Sequence, residues 1–173
     1  MVKSYQRYEQ LDVFGVIASN SNSIFIPSSA SSTSSKVGQL ITAGLEEILI
    51  WDIKTGTLIK KLKEGSNPGA LDSNTQSSPS QVVQLCHEPA SNILAAGYQD
   101  GSIKIWDITS GSVIINFTGH RSAISQLKFD RSGTRLVSGS KDTTIIVWDL
   151  VGEVGLFKLK GHTDEITVVG FES

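Results

Sequence analysis

The chain of 173 residues has one cysteine, Cys86, so no disulfide can form within it. That suits a reducing compartment. No apolar run approaches the roughly 18 residues that mark a membrane-spanning helix. The opening stretch, Met1 to Tyr8, lacks the apolar core of a secretory leader. Charge is scarce: 18% of residues are charged and the formal net charge is −2. Such a chain carries no overall field that advertises nucleic acid or a membrane surface. Helical periodicity is missing as well. What is there is a composition 39% hydrophobic, which is globular rather than disordered. The length alone suits one ordinary domain.

The positive signal is repetition. Trp51-Asp52, Trp106-Asp107 and Trp148-Asp149 use all three tryptophans. The second and third pairs lie 42 residues apart, as do Gly119-His120 and Gly161-His162. The same offset carries Leu94 onto Leu136, Gly97 onto Gly139, Asp100 onto Asp142, Ile103 onto Ile145, Ile124 onto Ile166 and Phe129 onto Phe171. The first and second pairs are 55 apart, and the excess of 13 falls in a stretch rich in Gly, Pro, Asn and Ser from Glu64 to Ser80. It reads as a loop insertion.

Within a repeat, short β runs alternate with turn residues. In the third, the runs are Ser125 to Phe129, Arg135 to Ser140, Thr144 to Leu150 and Gly155 to Lys160. Ile145-Ile146-Val147-Trp148 is continuously apolar, which predicts a strand covered on both faces. Four strands per period of about 40–45, punctuated by Gly-His and Trp-Asp, is the signature of a WD-repeat β-propeller. The expected class is all-β: about three and a half four-stranded blades of an incomplete propeller that closes with about seven. The expected blades are 11–63, with a Ser-rich linker at 28–36, then 82–118 after the insertion 64–81, then 119–160, and a stub at 161–173. The stub should hold the innermost strand of a next blade, ending near Phe171. A piece of this kind has an exposed blade face and unpaired edges, and is expected to self-associate through them.

The third repeat holds His120, Ser138 and Asp142, the residue types of a hydrolase triad. A triad needs an exposed nucleophile beside an oxyanion hole. Ser138 falls inside a strand, without a G-x-S-x-G elbow. The preferred reading is a buried chain in which the Trp148 indole donates to Ser138 or Ser140, the hydroxyl meets His120, and Asp142 orients the imidazole. The earlier repeats carry only parts of it. The second keeps Asp100 and Trp106 but has Ala96 for the serine and Ser78 at the histidine's offset. The first keeps Thr42 and Trp51, with Glu46 for the aspartate.

Other candidates carry less. Cys86-His87 has no further Cys or His at metal-ligand spacing, and neither a P-loop nor a strand–GxGxxG–helix unit occurs. No catalytic residue, cofactor or metal is therefore expected. Asn116-Phe117-Thr118 is a glycosylation triplet inside an expected strand. Lys60, Lys61, Lys63, Lys158 and Lys160 read as charge that protects blade edges. Arg121 and Lys141 flank the Gly-His and the turn aspartate, and are the candidate partner contacts on one propeller rim.

A closer match rests on Met1-Val2-Lys3-Ser4-Tyr5-Gln6-Arg7-Tyr8, on Phe14-Gly15-Val16-Ile17, and on the stretches Asn116 to His120 and Gly133 to Thr143. It rests above all on Ile145 to Glu153 followed by Gly155-Leu156. These resemble the tandem-propeller WD-repeat subunit of the UtpB complex in the small-subunit processome, a family associated with U3 small nucleolar RNA. The resemblance implies a non-enzymatic scaffold of the nucleus and nucleolus that supports pre-rRNA processing and small-subunit biogenesis. It implies other UtpB and processome proteins as partners, with U3 RNA or pre-rRNA contacted directly or through them, and no membrane. Family members are much longer, with two propellers and a helical C-terminal domain, so this chain would match the start of the first propeller. The alternative reading is a WD-repeat interaction adaptor outside ribosome biogenesis.

Overall fold

The computed structural model describes residues 19–27, 38–63 and 80–172. The N-terminal octet, Phe14 to Ile17, the Ser-rich tract, Ser78 and most of the insertion lie outside these residues. The described residues form twelve strands. They are β1 (Ile24–Ile26), β2 (Gln39–Gly44), β3 (Glu47–Asp52), β4 (Thr57–Leu62), β5 (Val82–Glu88), β6 (Ile93–Tyr98), β7 (Ile103–Asp107), β8 (Val113–Phe117), β9 (Ile124–Phe129), β10 (Arg135–Ser140), β11 (Ile145–Asp149) and β12 (Val154–Leu159). Consecutive strands pair antiparallel into three four-stranded sheets, β1–β4, β5–β8 and β9–β12. This is the all-β blade architecture that the repeats predict.

The sheets are built alike because the same residues recur at the same places. In each one the ladder between third and fourth strands shifts register just before the tryptophan, at Ile50/Trp51, Ile105/Trp106 and Val147/Trp148. A bulge there adds twist. The aspartate of each Trp-Asp pair then caps the next turn. Asp52 accepts from the Lys54 N–H at 2.8 Å, Asp107 from Thr109 at 2.8 Å and Asp149 from Val151 at 3.1 Å. These are Asx turns, in which a short carboxylate substitutes for a backbone acceptor. The turns close through a left-handed residue, Gly56, Gly111 and, in the third sheet, Glu153.

Two apolar interfaces hold the sheets face to face. Ile41, Ile48, Ile50 and Leu62 of the first pack on Leu85, Leu94 and Trp106 of the second. Ile103, Ile105 and Phe117 of the second pack on Ile124, Leu127 and Trp148 of the third. Burial of each such side chain contributes about 1.5–3 kcal/mol.

Two expectations at the end of the chain differ from the structure. Strand β11 is not covered on both faces: Ile146 and Trp148 are buried, while Ile145 and Val147 are half-buried. Among the described residues no sheet lies on that second face, and β12 is exposed along its whole length. Residues 161–172 form no strand, because a strand needs a ladder partner and the described residues offer none there. The segment is held by Ile166, which is 5% exposed and whose N–H donates to the Ser140 carbonyl at 3.2 Å.

Candidate functional site

The polar centre of the third sheet is a closed hydrogen-bond chain. The Trp148 indole N–H donates to Ser138 Oγ at 2.8 Å. Ser138 Oγ lies 2.7 Å from His120 Nε2. His120 Nδ1 lies 3.2 Å from both carboxylate oxygens of Asp142 and 3.1 Å from Thr144 Oγ1. Asp142 also accepts from the Arg121 N–H at 2.8 Å, the Thr144 N–H at 3.0 Å and the Thr144 hydroxyl at 2.6 Å. An ionised carboxylate only accepts, so Nδ1 carries the imidazole proton and Nε2 accepts from the Ser138 hydroxyl.

The elements position these groups for local reasons. Ser138 sits on the buried strand β10, paired with Leu127 on one side and Ile146 on the other. Asp142 opens the β10–β11 turn, where Ser140 Oγ accepts its N–H at 3.1 Å. Ser140 Oγ in turn donates to the Ser122 and Ala123 carbonyls. His120 enters from the loop between β8 and β9. Gly119 precedes it because a Cβ there would meet the Trp148 ring at 2.9 Å. Phe117 stacks on the same ring, with centroids 4.7 Å apart.

Electrostatics follow the burial. Desolvation lowers the His120 pKa, only partly offset by the charge and hydrogen bond of Asp142. Burial alone would raise the Asp142 carboxyl, but donors from Thr144 and the Arg121 N–H, with His120, hold it well below the usual carboxylate range. The imidazole is therefore neutral and the carboxylate ionised near neutral pH.

Ser, His and Asp thus stand in the proton order of a hydrolase triad. Ser138, however, is 0% exposed, and its oxygen already accepts from Trp148. A nucleophile must meet substrate, and this hydroxyl faces only protein. What the arrangement does is pin the β8–β9 loop and the β10–β11 turn onto the strands.

The partial sets differ in kind. In the first sheet the Trp51 indole donates to Thr42 Oγ1 at 2.9 Å. Glu46 is turned to Lys63, 3.0 Å away. In the second, Trp106 Nε1 is buried and has no hydrogen-bond partner among the described residues, because Ala96 supplies no hydroxyl. Asp100 is not brought to Trp106. It accepts from the Ser102 N–H and hydroxyl at 2.9 and 2.7 Å, and its own N–H donates to Ser80 Oγ at 3.1 Å.

Arg121 and Lys141 are both exposed beside Asp142, and Lys141 pairs with Glu165 at 3.5 Å. Most of the other lysines are engaged. Lys60 donates to the Ile108 and Thr109 carbonyls, and Lys158 to Gly119. Lys61 pairs with Glu47, and Lys63 with Glu46 and Glu47. Burial pushes the Cys86 thiol up and the neighbouring His87 down.

Sequence reasoning did not anticipate Thr144, which touches both His120 and Asp142. Its signal was the 42-residue offset to Ser102, which serves Asp100 in the same way.

The family model described as "WD domain, G-beta repeat" matches residues 72–107 and 111–149. The chain carries WD40 repeats. It is 56% identical over 126 residues to the yeast (Saccharomyces cerevisiae) "U3 small nucleolar RNA-associated protein 12", covering 72% of this chain and 13% of that protein. It is 40% identical over 125 residues to the Dictyostelium discoideum "WD repeat-containing protein 3 homolog", covering 72% and 11%. The chain therefore spans only a small part of these relatives. Among solved structures, the WD40 repeats of RRP9 superpose with a TM-score of 0.68 at 24% identity, covering 90% of this chain and 42% of that one. The computationally designed Ika4 protein gives 0.66 at 26% identity, covering 98% and 89%.

Proposed function

We propose that this WD40 chain belongs to a non-enzymatic scaffold subunit of the nucleolar small-subunit processome, supporting pre-rRNA processing and small ribosomal subunit biogenesis. The observation that carries the reading is the 56% identity to a protein named for its association with U3 small nucleolar RNA. The burial of Ser138 supports the non-enzymatic part. The blades present rims and loops to other proteins, in the manner of a UtpB subunit, with Arg121 and Lys141 as rim contacts. The place of action is the nucleolus.

The test is affinity purification of the full-length protein from cells, followed by probing for U3 RNA and mass spectrometry. U3 RNA and UtpB proteins should copurify. A pull-down rich in unrelated proteins and empty of U3 RNA would overturn the reading.

A further inference from the structure

The interface between the second and third sheets recurs, unfilled, at both ends of the stack. One side of it holds Ile103, Ile105, Ile115 and Phe117, none more than 9% exposed. One repeat on, the third sheet carries Ile145, Val147, Phe157 and Leu159 at the same places. Ile145 and Val147 are half-buried, and Phe157 and Leu159 are 63% and 53% exposed. The other side of the interface holds Phe129 and Trp148, 7% and 4% exposed. In the first sheet the register puts Phe25 and Trp51 at those points. Leu40 pairs with both, as Leu136 pairs with Phe129 and Trp148. Phe25 is 57% exposed and Trp51 half-buried. One end of the stack thus carries the receiving half of a known interface, and the other end the inserting half.

Residues 161–172 fit the same scheme. Ile166 lies against Gly139 as Ile124 lies against Gly97. The segment therefore runs where the first strand of a further sheet would run. Residues 166–171 stand one repeat after β9, yet they have no ladder partner among the described residues. In the first sheet the corresponding strand is β1, which makes only three ladder pairs. Phe171 is the counterpart of Phe129, and so of Phe25.

We propose that two copies of this chain close one ring of six sheets. The third sheet of each copy receives the first sheet of the other. Residues 166–171 of each copy pair with β2 of the other, in the place of β1. Six sheets fall within the four to eight of closed propellers. Two identical head-to-tail contacts close a two-fold ring, whereas a rotation that does not close would give a filament. A second copy brings both the apolar side chains that Phe157 and Leu159 need and the strand that residues 166–171 lack.

The test is light scattering of the full chain on a sizing column over a range of concentrations. The chain should elute at twice its own mass, with no larger species. Phe157→Asp changes an exposed position, so its circular dichroism should match the wild type, while its dimer should dissociate at least about tenfold more readily, as for a buried aromatic anchor. Leu159→Lys repeats the test if Phe157→Asp does not fold. Leu40→Cys and Phe171→Cys chains, both with Cys86→Ala, should form an intermolecular disulfide when refolded together, since opposed ladder residues lie within disulfide reach. A monomer, a mass that keeps growing with concentration, a dimer that neither exposed variant weakens, or no cross-linked pair would overturn the proposal. None of these results bears on U3 copurification, so the ring and the processome reading fail separately.

Discussion

Ile166 seats on Gly139 as Ile124 seats on Gly97, one repeat apart. A Cβ on either glycine would overlap the isoleucine, 2.5 Å from Ile166 Cγ2 and 2.6 Å from Ile124 Cγ2, well inside the roughly 3.5–4.0 Å at which carbon atoms pack. Each glycine is the flat place on a second strand where the next segment lands. Gly97→Ala should therefore push β9 off β6 and destabilise the fold, with overpacking costing about 1–3 kcal/mol. Gly139→Ala should cost less, because only the segment around Ile166 depends on it. Urea denaturation of the two variants checks the order, and equal losses would contradict it.

Trp106 is the place where a repeated element is incomplete. Its indole N–H is buried without a partner among the described residues, whereas Trp148 has Ser138 and Trp51 has Thr42. Ala96→Ser puts a hydroxyl at the position Ser138 occupies in the third sheet. Satisfying the buried donor should stabilise the chain by about 1 kcal/mol. Thermal melting reads this as a raised Tm, and a lowered Tm would show that the site has no room for the oxygen.

Much of this was legible because the repeat makes every residue a copy of another. The repeat grouped His120, Ser138, Asp142 and Trp148, and the β runs read in the third repeat fall within about a residue of β9 to β12, the ordinary uncertainty of strand ends. Contacts that do not repeat were not legible. Asn22 reaches Leu85 across 63 residues, outside the period, because the insertion lies between them. Lys60 reads as edge charge in sequence, yet its ammonium crosses to the Ile108 and Thr109 carbonyls of the next sheet. A long flexible side chain finds such an acceptor only once the sheets are stacked. The apolar run in β11 predicted two covered faces, but a run reports what could be covered, not whether a neighbouring sheet is there.

Acid should loosen the third sheet. Burial lowers the His120 pKa below its ordinary 6.5. The unfolded chain therefore binds that proton first, and stability falls as pH drops below about 6.5 until the folded form protonates too. Asp142, depressed in the folded state, adds stability that is kept above its ordinary 3.8 and lost only in stronger acid. His87, also lowered by burial, contributes a slope of the same sign. Urea midpoints between pH 7.5 and 5 should fall for the wild type, and less steeply for His120→Gln in a His87→Gln background than for His87→Gln alone. Parallel slopes in those two variants would contradict the role given to His120.

The most direct measurement is labelling of the folded full chain with a fluorophosphonate, which reacts only with an activated, accessible serine. Ser138 carries the hydrogen-bond order of a catalytic serine but lies 0% exposed under Trp148. The predicted result is no adduct on Ser138 by peptide mass spectrometry while the chain is folded. A stoichiometric adduct at Ser138 would contradict the reading of His120, Ser138, Asp142 and Trp148 as a structural pin in a non-enzymatic scaffold.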